Sequence, residues 1–277
     1  MKKTRSKIFP AAILLLCMLF ILSISAEAAP KSRQSQSSKQ AKRVNTWVTK
    51  NGRHYYYNAQ GKKSVGMTKI GSRTYYFDSK GIERYGWKKI KNNYYYFRLS
   101  TATKGAYMLK STTVNGIRLD SKGRAKKSGS NARKLRLMVA ANRTVEKITS
   151  PGMNKAQRLR ACFNYVKKNY TYYTWREFTY KPNWEKDFAE DMFFRNGRGD
   201  CFSYAAAFAY LAGAVGMKNV YVISSGGHGW TEINGKVYDP DWALVSNVDS
   251  YFGMSYDLSG VNGRPNYKSN RLYAVKI

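Results

Sequence analysis

The hydrophobic rhythm of the chain changes several times, and each change predicts a different kind of element. Lys2, Lys3, Arg5 and Lys7 precede an uncharged, mostly apolar run from Ile8 to Ala26. From Pro30 to Asn45 the residues are Ser, Gln, Lys and Arg with no apolar periodicity, which predicts a flexible spacer. Aromatic clusters separated by Gly and Asn then recur every 20 residues, predicting short hairpins. Beyond Ser128-Gly129-Ser130 helical spacing takes over, with Leu135, Leu137, Met138, Val139 and Ala140 in one helix. Ala156, Leu159, Cys162, Phe163 and Val166 mark a second. An apolar, alanine-rich helix is predicted from Cys201 to about Ala214, N-capped by Asp200 and ended by Gly216. Strands follow at Asn219 to Ser225, His228 to Ile233 and Lys236 to Trp242, the last two joined by an Asn234-Gly235 turn.

The basic start, the apolar run and the small residues of Ala26-Glu27-Ala28 together read as a signal peptide over 1–28, cleaved after Ala28. An uncleaved anchor is the competing expectation, because the run is just long enough to span a bilayer. Cys17 lies inside the run as one of its apolar residues. A basic linker over 29–46 follows, and a cleaved leader leaves no stable transmembrane segment.

Repeat units occupy 47–127. Trp47, Met67 and Trp87 open three of them, and the clusters are Tyr55-Tyr56-Tyr57, Tyr75-Tyr76-Phe77 and Tyr94-Tyr95-Tyr96-Phe97. A fourth unit is degenerate: Asp120-Ser121-Lys122-Gly123 echoes Asp78-Ser79-Lys80-Gly81, but Ile117-Arg118-Leu119 replaces the aromatics, as expected of a cap. Hairpins this small need stacked neighbours, so the prediction is a β-hairpin solenoid. The units resemble the choline-binding or glucan-binding cell-wall repeats of Gram-positive surface proteins, on Gly86-Trp87, Tyr55-Tyr56, Tyr75-Tyr76, Gly61 and Gly81. That resemblance implies ligand-binding aromatics at Trp47, Tyr55, Tyr56, Tyr75, Tyr76, Trp87, Tyr94 and Tyr95. About half of the repeat tyrosines are expected to serve instead as core between hairpins.

Charge narrows the ligand. The chain carries 49 Lys and Arg against 16 Asp and Glu, a net +33, of which +21 lies in residues 30–130. Such an excess suggests nucleic acid, but an exported protein meets wall polymers first, so no nucleic-acid partner is expected. A positive field repels the choline cation and suits an anionic teichoic polymer; tyrosine faces suit sugar rings.

Candidate chemistry is concentrated between Asn196 and Trp242. A cysteine at a helix start feels the positive end of the helix dipole, which favours thiolate. Pairing Ile233 with Lys236 across the Asn-Gly turn puts Trp230 opposite Asp239 and His228 opposite Asp241, all on one side of the hairpin. Thiol, imidazole and carboxylate are the set needed for nucleophilic acyl transfer. Gly199-Asp200-Cys201, His228-Gly229-Trp230 and Asp239-Pro240-Asp241-Trp242 resemble, in order and spacing, the motifs of the transglutaminase-like superfamily, whose fold is related to papain-like cysteine enzymes. The resemblance implies Cys201 as nucleophile, His228 as general acid and base, and Asp239 as orienting carboxylate. Asp241 stays a rival for the third role on register grounds. Cys162 belongs to an apolar helix face and reads as core.

The fold class expected is α+β: a transglutaminase-like, papain-like domain over 131–277, preceded by the hairpin solenoid. Three cysteines and two histidines exclude a Cys/His zinc cluster and a disulfide framework, and neither cofactor nor metal is expected. The functional expectation is a secreted, wall-associated cysteine enzyme acting on amide bonds of a protein or peptide substrate, with wall glycan or teichoic polymer bound by the repeats. A non-catalytic wall-binding or adhesion protein, using the domain as a scaffold, is the alternative.

Overall fold

The computed structural model describes residues 43–98, 105–246 and 249–277. The expected signal peptide and nearly all of the linker lie outside the described residues. Six strands build three successive hairpins: β1 (Thr46–Lys50) with β2 (Arg53–Tyr57), β3 (Gly66–Ile70) with β4 (Arg73–Phe77), and β5 (Gly86–Ile90) with β6 (Asn93–Phe97). The degenerate unit supplies two short strands, β7 (Thr113–Val114) and β8 (Ile117–Arg118). Each hairpin turns over two residues, and the first uses the Asn51-Gly52 pair with φ of 50° and 69°, where left-handed backbone matches the strand twist. The third turn lies one residue earlier than the asparagine pair suggests, at Lys91-Asn92, because Asn93 already pairs with Ile90.

Units are stitched by a recurring backbone bond. The second strand of each hairpin accepts from the segment that trails the next hairpin: Glu83 N–H to His54 O, Met108 N–H to Thr74 O, and Ala125 N–H to Tyr94 O, at 2.9, 2.7 and 2.8 Å. Aromatic rings fill the space between. Trp47 meets Tyr56 of its own hairpin and Tyr75 and Phe77 of the next, with centroids 5.0–5.7 Å apart.

The remainder is helices around one five-stranded antiparallel sheet. Its helices begin with α1 (Gly129–Ile148) and α2 (Lys155–Asn169), the second opened by an Asn154/Gln157 capping box. After β9 (Thr171–Tyr172) come α3 (Trp184–Phe194), β10 (Arg198–Gly199) and α4 (Cys201–Val215). Every residue of α4 is buried, as expected of a helix apolar on all faces. It packs on β11 (Val220–Ser224) and β12 (Gly229–Ile233), and α1, α2 and α3 surround it. The chain continues through β13 (Lys236–Tyr238), α5 (Pro240–Val245), β14 (Phe252–Ser255) and β15 (Tyr273–Lys276), giving the sheet order β14-β13-β12-β11-β15.

The return strand is shorter than its pattern suggests. Pairing with β12 runs Ile233 to Lys236, Glu232 to Val237 and Thr231 to Tyr238, then stops. Pro240 has no N–H for a ladder and a φ suited to the first helical position, so Asp239-Pro240 opens α5 instead. Trp230 and His228 therefore have no cross-strand partners at Asp239 and Asp241.

The repeats and the α/β region share one core. Trp87 of the third hairpin is completely buried, in the same apolar cluster as Leu135, Met138 and Tyr210. Its backbone N–H donates to Asn142 Oδ1 of α1 at 2.8 Å, and its indole N–H donates to Asn115 Oδ1 at 3.0 Å. Gly86 makes this approach possible: a Cβ there would stand 2.2 Å from Asn142 Nδ2, and its φ is +70°. Lys88 and Glu146, both largely buried, close the junction at 2.7 Å.

Candidate active site

The site is assembled where the N-terminus of α4 meets the loop before β12 and the start of α5. Asp200 caps α4, its Oδ1 accepting from the Ser203 N–H at 3.1 Å, and this fixes Cys201 as the first helical residue. The cysteine is 6% exposed and free of any disulfide, as is the buried Cys162. Burial pushes the Cys162 thiol up to about 12, which leaves it an inert core residue.

His228 is presented by a tight loop. Its N–H donates to Ser225 Oγ and its carbonyl accepts the Ser225 N–H, both at 2.9 Å. Gly229, next along, lets β12 press against α4: a Cβ at that position would lie 2.9 Å from the Phe202 Cα. With a side chain at 229, strand and helix would have to separate, and His228 would leave Cys201.

Asp239 is 0% exposed and uses both carboxylate oxygens. Oδ1 caps α5, accepting from the N–H groups of Asp241 and Trp242 at 3.1 and 3.0 Å. Oδ2 bonds His228 Nε2 at 2.6 Å and accepts from the Tyr267 hydroxyl at 2.7 Å. Three donors besides the imidazole thus hold the carboxylate in place. Burial disfavours a charged His228, but the Asp239 carboxylate and Cys201 outweigh it and hold the imidazole pKa well above its usual value. With Nε2 taken by Asp239, Nδ1 is the ring nitrogen left for the thiol.

Cys201, His228 and Asp241 each place one sulfur, nitrogen or oxygen atom within 4.8 Å of the others. Asp241 is 8% exposed, and its Oδ1 is buried with no hydrogen-bond partner. Burial and the nearby Asp239 charge raise its carboxyl to about 7, against the opposing pull of His228.

Aromatic rings flank the start of α4. Pairing of β9 with β10 sets Tyr172 beside Gly199, and its ring stacks on Tyr204 of α4 at 6.4 Å. Burial raises the pKa of the half-exposed Tyr172 phenol, and the charges of Cys201 and Asp241 add to it. Neither Tyr172 nor Tyr267 is marked by a motif; each reaches the site from a segment more than 25 residues away in sequence.

In the repeats, the candidate aromatics divide by exposure. Trp87 is wholly enclosed, and Tyr75 and Tyr94 are each 7% exposed. Trp47, Tyr55, Tyr56, Tyr76 and Tyr95 are half-buried and keep part of a face toward solvent. Some faces are already covered by the chain's own cations: Lys63 Nζ lies 4.4 Å from the Tyr55 centroid, and Lys127 Nζ lies 5.7 Å from that of Tyr94.

Residues 142–245, which contain Cys201, His228, Asp239 and Asp241, match the model of the transglutaminase-like superfamily. Among solved structures, the N-terminal part is similar to the choline-binding domain of a Streptococcus pneumoniae protein. The two are 24% identical over 31% of this chain and 99% of that one, with a TM-score of 0.28. CbpJ from Streptococcus pneumoniae is 26% identical over 29% of this chain, with a TM-score of 0.26. The modular Cpl-1 endolysin, solved with a peptidoglycan analogue, is 26% identical over 31%, with a TM-score of 0.22. This chain spans only 26% and 25% of the length of those two proteins. No curated protein matches the sequence.

Proposed function

We propose that the transglutaminase-like domain is a thiol-dependent enzyme of amide bonds, with Cys201 as nucleophile, His228 as general acid and base, and Asp239 as the carboxylate that orients it. The observation that carries this is the 2.6 Å bond from His228 Nε2 to a buried Asp239, with the imidazole beside a helix-terminal cysteine. In the reaction, the thiolate attacks the amide carbon, and the positive end of α4 favours the negative charge that develops. The His228 imidazolium gives its proton to the departing nitrogen, the C–N bond breaks, and a thioester remains on Cys201. Water then gives hydrolysis, or an amine gives a new amide.

The repeats are proposed to hold this enzyme at the cell wall after export. Their half-buried tyrosines offer faces for sugar rings, and the chain's own lysines already lie over the rings of Tyr55 and Tyr94. Together with the +21 charge of residues 30–130, this favours an anionic wall polymer over choline. No helix among the described residues is long and apolar enough to cross a membrane.

The test is incubation of the purified chain with carboxamide-containing wall peptides and a labelled primary amine. Ammonia release with a trappable thioester supports the reading; neither product from correctly folded protein rejects it. For the repeats, loss of binding when teichoic polymers are stripped from walls is expected. Unchanged binding would point to glycan.

A further inference from the structure

Asp239 serves as the third member of the proposed triad, which leaves Asp241 without a part in it. It is nonetheless enclosed with the reactive pair: a carboxylate oxygen lies within 4.8 Å of the Cys201 sulfur and a His228 nitrogen. Its Oδ1 is buried without a donor. A buried acceptor left unpaired is unfavourable by about 1–3 kcal/mol, and native proteins keep few of them. A substrate nitrogen reacting at Cys201 can bring a donor to this carboxylate. In acyl transfer through a thioester, the departing nitrogen and an incoming amine occupy the same place by microscopic reversibility.

Resting on the acyl-transfer reading above, we propose that Asp241 is the amine subsite: its carboxylate binds the ammonium of a primary-amine acceptor and directs the thioester toward amide formation instead of hydrolysis.

The protons balance. An incoming R–NH3+ carries two protons that the product amide does not keep. The Asp241 carboxylate accepts the first, which turns the bound ammonium into a nucleophilic amine. The amine nitrogen attacks the thioester carbon, neutral His228 takes the second proton, and the C–S bond breaks to return the Cys201 thiolate. Asp241 then releases its proton to solvent. An acid near neutrality suits this exchange, and burial raises Asp241 to about 7. The groups around it are consistent: Asp239 and Asp200 add negative charge, His228 opposes them, and the phenols of Tyr172, Tyr204 and Tyr267 each feel its charge. The half-exposed Tyr172 ring gives an aliphatic amine an apolar wall to lie along.

The experiment uses the full chain, a glutaminyl peptide as acyl donor, and two nucleophiles at pH 7.5. One is a monodansylated diamine, which carries one ammonium; the other is hydroxylamine, which is uncharged. The readout is the ratio of coupled to hydrolysed product, and since both arise from one thioester, any defect in its formation divides out. Asp241→Asn is expected to lower the ratio about tenfold for the diamine, as loss of one charged hydrogen bond should, and to change it less than about twofold for hydroxylamine. Equal changes for both nucleophiles, or no change for either, would overturn the proposal. Should Asp241→Asn fail to fold, the wild type decides: diamine coupling must saturate while hydroxylamine coupling rises linearly, and linear dependence for both sinks the subsite. Absent ammonia release and absent thioester in the wild type would reject the acyl-transfer reading itself, a different outcome from an unaltered partition.

Discussion

The hairpin repeats and the candidate active site spend their aromatic and polar residues in opposite ways. In the repeats, rings from consecutive hairpins meet one another, as Trp47 meets Tyr56, Tyr75 and Phe77, and the backbone stitching recurs unit after unit. In the solvent-open part of the stack, a ring such as Trp47 shares its contacts with several neighbours. The polar atoms of the site have no substitutes. Asp239 divides its oxygens between capping α5 and holding His228, and Tyr267 adds one hydroxyl to the second. Shared contacts make the solvent-open stack tolerant of change, whereas unique bonds make the candidate site sensitive to the loss of a single atom. Stability and activity should therefore respond separately to substitutions in the two regions.

Cys201→Ala tests that separation most strongly. It removes the proposed nucleophile and is expected to abolish thioester formation, a loss of about 10⁴-fold or more. The thermal midpoint should stay close to the wild type, since alanine fits a small site that is already buried. A large drop in the midpoint, or retained turnover, would break the separation.

Next in size is Trp87→Ala, at the junction where the repeats join the α/β core. Emptying a fully buried indole site should destabilise the chain by about 3–5 kcal/mol. Because Trp87 lies in the same cluster as α1 and α4, hairpins and helices should then melt together at a lower denaturant concentration. Trp47→Ala, in a stack open to solvent, should cost only about 1–2 kcal/mol. Equal losses for the two, or a separate early transition for the repeats, would show that the hairpins fold apart from the domain.

Much of this was readable in the residues wherever the responsible physics is local. Asn234-Gly235 specified its turn and the Ile233–Lys236 register; Asp200 and Gly216 bracketed α4; the 20-residue spacing marked the hairpins. Where two local signals competed, the pattern misled. Alternation across Lys236 to Trp242 favoured a longer strand, but the fixed φ of Pro240 and the capping carboxylate of Asp239 end it at Tyr238. That termination frees Asp239 to reach back to His228, and the expected cross-strand pairing of Asp241 does not form. Contacts set by tertiary packing had no local signal at all. Nothing around Trp87 announces that Asn142 will cover it, and nothing around Tyr267 points to Asp239.

Tyr267→Phe probes such a nonlocal contact. It removes one donor from Asp239 Oδ2 and leaves the His228 bond in place. With the carboxylate less restrained, kcat should fall about tenfold, the equivalent of one hydrogen bond to a charged group, with KM little changed. A rise in KM alone would place Tyr267 in substrate binding and remove it from the positioning of the base.

The smallest expected effect concerns pH, and its sign follows from Asp241. The carboxyl titrates near 3.8 when exposed and at about 7 when folded, because burial and Asp239 disfavour its charge. Between those values the folded chain holds a proton that the unfolded chain has released, so this group favours folding at the acid end. Its contribution declines as pH rises from about 4 and levels off above 7, and between pH 6 and 7 the loss is about 1 kcal/mol. Asp241→Asn, which cannot ionise, should flatten the fall in stability over that unit of pH, and urea titrations at both values would measure it. Cys201→Ala and Trp87→Ala should retain the wild-type slope, since neither removes the titrating group. If Asp241→Asn also kept that slope, the carboxyl would already be ionised below pH 6, and a partner would have to supply the donor that Oδ1 lacks.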